Sequence, residues 1–219
     1  MKIKQLNSLM TIAILAVIVS ACSVGSSKES SSEEASETET SVVSTTPVSF
    51  TVYPEETEVA WKGEVAGVYG HNGVIDVQEG SITVSDGKLT GGEVVIDMTS
   101  IQPLDTASYE ASGKTPQDLV DHLSTGDFFL VEEFPTASFT IKSHEGNQLI
   151  GDLTIRGNTN EETVELSSLE ITENGLKGEG KLVFDRQKYD VKWEHYVQDY
   201  VLSDEIEISL TITAGSEAI

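Results

Sequence analysis

Four histidines, one cysteine and an adjacent Asp-Arg pair are the side chains of this 219-residue sequence best suited to chemistry. His71, His122, His144 and His195 lie far apart, and none has metal-ligand spacing to another. There is no Gly-x-Ser-x-Gly turn and no phosphate-cradling loop, and no cysteine is placed as a nucleophile. Asp185 and Arg186 read as a structural ion pair or as strand-end contacts rather than as catalysts. The chain therefore does not read as an enzyme, and no metal or resident cofactor is expected.

Cys22 carries a different chemistry. Lys2 and Lys4 precede an apolar run from about Met10 to Val19, too short to span a bilayer but right for a signal-peptide core. The run ends in Val19-Ser20-Ala21-Cys22, which resembles a bacterial lipobox: an aliphatic residue, two small ones, then the thiol that receives a diacylglycerol. As the sole cysteine, Cys22 also rules out an intrachain disulfide. Residues 1–21 are expected to be a lipoprotein signal peptide. Two or more acyl chains on Cys22 would anchor the mature chain stably, where one chain binds only marginally. The expected location is the bacterial cell envelope, extracytoplasmic and lipid-anchored to the membrane.

Residues 22–47 are rich in Ser, Glu and Thr and hold few large apolar groups, so they cannot repay the entropy of folding. They read as a flexible tether reaching roughly 25–30 Å. The whole chain carries 37 acidic and 13 basic side chains, a formal charge of −24. A phosphate backbone or an anionic headgroup layer would be repelled, so no nucleic-acid partner is expected.

Residues 48–219 have the length of one domain, and their dominant signal is period two. Val59, Trp61, Gly63 and Val65 alternate with polar neighbours, as do Leu149, Gly151, Leu153 and Ile155. Val164, Leu166, Leu169 and Ile171 continue the pattern, then Leu176, Gly178, Gly180, Leu182 and Phe184, and last Ile206 to Ile212. Short strands are also expected at Val74 to Val77 and Ile82 to Val84. Asp86-Gly87 and Asn174-Gly175 are hairpin signals. Sandwich and barrel both fit such a list. The supply of about eight strands, the inward-facing glycines and the prevalence of hairpin-length turns favour an extended antiparallel β-barrel.

One long excursion, roughly Ile101 to Pro135, interrupts the strands. Thr115-Pro116-Gln117-Asp118 predicts a capped helix start, Leu119, Val120 and Leu123 share an apolar face, and Gly126 suits the stop. Phe128, Phe129 and Phe134 follow, too many large apolar groups for a solvated loop. In an extended segment Phe128 and Phe129 would point opposite ways, one into the core and one toward a cavity. The short helix is expected to cover one end of the barrel.

Four segments in order carry a family resemblance: His122-Leu123 with Asp127-Phe128-Phe129; Phe134-Pro135-Thr136-Ala137-Ser138-Phe139; Gly151-Asp152-Leu153-Thr154-Ile155-Arg156-Gly157; and Phe184-Asp185-Arg186-Gln187-Lys188-Tyr189-Asp190-Val191. They resemble the YceI-like family across nearly all of about Val59 to Ile212. The resemblance implies an all-β, lipocalin-like barrel that binds a long polyisoprenoid or related amphiphile in its lumen, with no catalytic activity. The residues expected at the lumen or its mouth are Trp61, His71, Leu123, Phe128, Phe129, Phe139, Leu153 and Phe184. His71, between Tyr69-Gly70 and Asn72-Gly73, would meet a polar ligand head or simply be a turn residue. The expected partners are a long-chain lipid, isoprenoid or fatty, and the membrane through the anchor. The alternative is a structural or interaction lipoprotein whose barrel core is filled by its own side chains.

Overall fold

The structure, a computed structural model, describes residues 46–65, 69–105, 113–194 and 201–216. Cys22, the signal-like core, most of the tether and His195 lie outside the described residues. The segments are β1 (Val48–Val52), β2 (Glu58–Val65), β3 (Tyr69–Ile75), β4 (Val77–Ser85), β5 (Lys88–Asp97) and β6 (Gln102–Pro103). Then come α1 (Pro116–Leu123), β7 (Thr136–Glu145), β8 (Gln148–Ile155), β9 (Asn158–Ile171), β10 (Gly175–Asp185) and β11 (Leu202–Gly215).

These segments form an eight-stranded closed antiparallel barrel. The first three staves are each bent into two pieces: β1 with β2, β3 with β4, and β5 with β6. β1 pairs with β4 while β2 pairs with β3, and β5 pairs with β4 while β6 pairs with β3. β7 to β11 follow as unbroken neighbours. The ring closes where β11 meets β1, Val52 opposite Ala214, and further along meets β2, Ile208 opposite Trp61. The three bends lie beside one another. Asp97 N–H donates to the carbonyl of Asp76, and Asp76 N–H donates to Ser100 Oγ, stitching the second bend to the third.

The hairpins behave unequally. Asp86 and Gly87 both have positive φ, 51° and 72°, as a two-residue turn joining right-twisted strands requires. Asn174-Gly175 forms its hairpin without positive φ at either residue. A Cβ on Gly175 would lie 2.3 Å from the carbonyl oxygen of Ala214, so that glycine serves close approach of β11 rather than turn conformation.

Several expectations need correction. The expected strand at Val59 to Val65 is present as β2, but a further strand that was not expected, β1, precedes it, and its Phe50 and Val52 are almost fully buried. Tyr69 to Gly73 are paired with β2 from Val65 to Trp61, so this turn-like sequence is strand. α1 starts as its sequence predicts: Thr115 Oγ1 accepts from Asp118 N–H, and the Asp118 carboxylate accepts from the Thr115 hydroxyl and then from Thr115 N–H, which together hold that acid below its ordinary range. It ends at Ser124, in an ordinary right-handed conformation, and Gly126 does not adopt the left-handed stop. Phe128 N–H donates to Thr125 O and Phe129 N–H to Leu123 O, so the segment coils into turns rather than extending. The strict alternation of an extended segment therefore does not apply to the two phenylalanines.

β9 and β10 lose register at one place, where Leu166 faces Gly180 and Ser168 faces Glu179, leaving Ser167 as the extra residue. The bulge resets the alternation, so Val164 and Leu166 before it and Leu169 after it all face the interior.

Candidate functional site

Inward side chains from all eight staves leave a cavity of about 330 Å3 between the hairpin end and the helix end of the barrel. That lies within the range of ligand pockets, roughly 300–1,000 Å3. Near the β4–β5, β7–β8 and β9–β10 hairpins, Phe50, Ile82, Leu149 and Leu176 belong to the packed core, and the last three also border the cavity. Among the described residues, none of those lining the cavity is Lys, Arg, Asp or Glu. The cavity wall is therefore mostly apolar, its polar members including His71, His122, Thr57 and Ser138, while the chain as a whole is strongly acidic.

All eight residues expected at the lumen or mouth are on this wall. Trp61 presents its ring from β2, and its indole N–H donates to the carbonyl of Val74 at 3.1 Å, which removes the ring's one polar demand. The ring lies over Gly73, where a Cβ would come within 2.6 Å of it. Phe139 on β7 covers Gly151 on β8 in the same manner, its ring 2.5 Å from where a Cβ would stand, so that glycine's space is occupied by a neighbour. Gly178 is different: an added Cβ would meet only ordinary contacts of 3.5 Å or more, and the residue borders the cavity. Leu153 and Phe184 are buried on β8 and β10.

The helix end is built from aromatic groups. The His122 ring stands edge-on to Phe128 and to Trp193, with centroids 5.0 and 5.1 Å apart, and Phe128 lies 5.6 Å from Trp193 and 6.1 Å from Phe129. Phe128 belongs to the packed core and to the cavity wall at once, whereas Phe129 is only partly buried. Leu123 joins them from α1. Leu119, His122 and Trp193 also border the cavity without having been expected there. Trp193 is one of only two tryptophans and stands two residues beyond Val191, a signal that sequence reading could have used.

The remaining motif residues are scaffold. Arg156, at φ 50° in the β8–β9 turn, donates to the carbonyls of Phe128 and Asp190 and so holds the aromatic turn against the barrel end. Arg186 is 3 % exposed and donates to the carbonyls of Val191, Leu202 and Ser203 and to the Asp204 carboxylate. Asp185 caps the following turn by accepting from Gln187 N–H. These are strand-end contacts; Arg186 pairs with Asp204. Tyr189 is fully buried, and its hydroxyl donates to Glu162 at 3.1 Å. Burial, then the Glu162 charge, pushes that phenol well above its ordinary range, so it stays a donor at any physiological pH.

His71 on β3 borders the cavity near its helix end, and its Nδ1 lies 2.8 Å from Asp105 Oδ2. Among the described residues no group of three or more His, Cys, Asp or Glu could hold a metal ion.

A closed eight-stranded antiparallel barrel around an apolar lumen, with one short helix at one end, defines a protein of the lipocalin-like fold class. Residues 50–214 match the YceI-like domain, and the chain belongs to that family. A UPF0312 protein of Staphylococcus aureus is 36% identical over 95 residues, 40% of this chain and 56% of that one. A UPF0312 protein of Staphylococcus epidermidis is 29% identical over 108 residues, 47% of this chain and 63% of that one. The chain thus matches less than two thirds of the length of either relative. The crystal structure of Burkholderia cenocepacia BcnA shares the fold at TM-score 0.56 and 20% identity, over 74% of this chain and 99% of that one. A polyisoprenoid binding domain from Saccharophagus degradans does so at TM-score 0.50 and 10% identity, over 76% and 98%.

Proposed function

We propose that this chain is a membrane-anchored, extracytoplasmic lipoprotein of the bacterial cell envelope that holds a long-chain isoprenoid or similar amphiphile in its barrel, for carriage or sequestration. The observation that carries the reading is the lumen itself: a cavity of about 330 Å3 that is walled mostly by apolar side chains and bordered by no Lys, Arg, Asp or Glu among the described residues. Membership of the YceI-like family and the likeness of fold to a polyisoprenoid binding domain support it. Burying roughly 400 Å2 of prenyl chain at about 25 cal/mol per Å2 gains on the order of 10 kcal/mol before the costs of association, so affinity needs few polar contacts. Native mass spectrometry after gentle purification should show a co-purifying lipid, or uptake of an added prenyl lipid by the apoprotein. A clean protein mass with no uptake would sink the reading.

The anchor rests on Cys22 and the apolar run before it. Cys22→Ser is expected to move the protein from the detergent-extracted membrane fraction to the soluble fraction. Unchanged fractionation through the same steps would show that Cys22 is not the anchor.

A further inference from the structure

The polar groups of the cavity wall are unevenly placed, and their placement gives the lumen a direction. Its hairpin half is hydrocarbon, walled by Ile82, Leu89, Leu149, Val164 and Leu176. Thr57, at the first bend, already accepts from Thr213 N–H at 3.3 Å, and Ser138 alternates with the inward Ala137 and Phe139, so its hydroxyl faces away. The other polar members stand toward the helix end. Tyr69 and His71 meet edge-on there, and His71 is paired with Asp105.

His122 differs from these in what it touches. It lies in the last turn of α1, half-buried, and its ring meets only the Phe128 and Trp193 rings. Among the described residues its ring nitrogens have no hydrogen-bond partner, and no buried side-chain nitrogen in that set is left unpaired, so these nitrogens are not sealed inside protein. An imidazole carries at least one N–H whether neutral or protonated. His122 therefore offers a donor at the helix end in either state. A guest that fills the lumen takes water away from that N–H, and the loss is made good only if the guest brings an acceptor oxygen to it.

We propose that the guest lies in one orientation, an oxygen-bearing head at the helix end accepting a hydrogen bond from His122 and a hydrocarbon tail toward the hairpins, so that oxygenated lipids are selected over hydrocarbons of the same shape. The proposal rests on the container reading, and the test separates the two. Two probes are compared on the full chain: phytone, a branched long-chain methyl ketone, and pristane, the alkane in which a methyl-bearing carbon replaces its carbonyl. Both are delivered from cyclodextrin, and melting curves check the folding of each variant.

His122→Phe keeps an aromatic ring against Phe128 and Trp193 but donates nothing. It should weaken phytone binding about five- to tenfold and leave pristane binding unchanged or tighter. Equal loss for both probes, or loss for neither, overturns the role of His122. Orientation is read separately with His122 intact. Trp61→Phe leaves Trp193 as the only indole, so its fluorescence reports on the helix end alone. Methyl stearate carrying a nitroxide beside the ester should quench that fluorescence more strongly than the same ester with the nitroxide at the far end of the chain. Equal or reversed quenching overturns the orientation. If neither phytone nor pristane binds the unaltered chain, the container reading fails and this inference with it.

Discussion

Arg186→Leu lowers the unfolding free energy by about 3–5 kcal/mol in urea titration, while Lys142→Ala at the barrel surface leaves the urea midpoint nearly unchanged. The difference lies in what each removal leaves behind. The Arg186 guanidinium sits at 3 % exposure and serves three backbone carbonyls, of Val191, Leu202 and Ser203, as well as Asp204. Burial pulls its basicity down, chiefly by desolvation, with the charge of Asp204 working against it. A leucine fills some of the space but donates to nothing, and each sheltered carbonyl left without a donor costs about 1–3 kcal/mol. Lys142, by contrast, pairs with Asp152 and Glu161 in contact with water, where solvent replaces the lost partner. Arg186→Lys should recover only part of the loss, because an ammonium cannot reproduce the fork that reaches four acceptors. A loss under about 1 kcal/mol for Arg186→Leu would show that this end of the barrel tolerates unpaired carbonyls and that the guanidinium is not its fastening.

Gly178→Leu acts on the lumen instead. A Cβ at this position meets Leu169, Ile212 and the Ser168 carbonyl at 3.5 to 3.7 Å, ordinary contact distances, so the backbone accepts a side chain there and the chain it carries enters the cavity. The new leucine displaces about four methylenes of guest, worth about 3 kcal/mol, so affinity for a prenyl probe should fall on the order of a hundredfold. Stability should hold or rise, since apolar surface is buried where none was. Gly151→Ala is the matched contrast: the Phe139 ring and the Thr140 carbonyl each stand 2.5 Å from its Cβ position, and overpacking of that kind costs about 1–3 kcal/mol. Undiminished probe affinity in a folded Gly178→Leu protein would place the guest somewhere other than this lumen.

The parts of the fold that were legible in the sequence are those set by local rules. Leu149, Gly151, Leu153 and Ile155 alternate inward because β8 has one face on the interior, and the Thr115–Asp118 box starts α1 because two backbone donors need partners within one turn. What was misread depends on distant neighbours. Tyr69-Gly70-His71-Asn72-Gly73 has the composition of a turn, yet pairing with β2 makes it strand, and Gly73 is needed because the Trp61 ring lies on it. Leu166 and Leu169 stand three apart in a period-two segment, a slip that marks the bulge at Ser167. The site divides in the same way. Large apolar residues in strands pointed to the cavity wall, because size and alternation are visible in one dimension. Asp105 carried no such mark; its place beside His71 exists only because β6 folds back along β3.

Ring closure also sets the order in which the barrel can come into being. From β3 onward each stave can pair with the one made just before it, through contacts between near neighbours in sequence, and such contacts form early and fast. The seam between β11 and the β1–β2 stave joins opposite ends of the domain, Val52 to Ala214, and must wait for nearly the whole polypeptide. Until then the molecule is a curled open sheet with two unpaired edges and its apolar inner face exposed. The last strand is therefore both the latch of the container and the step that ends its exposure to aggregation, and a lipid present during folding could be enclosed without ever passing through a mouth.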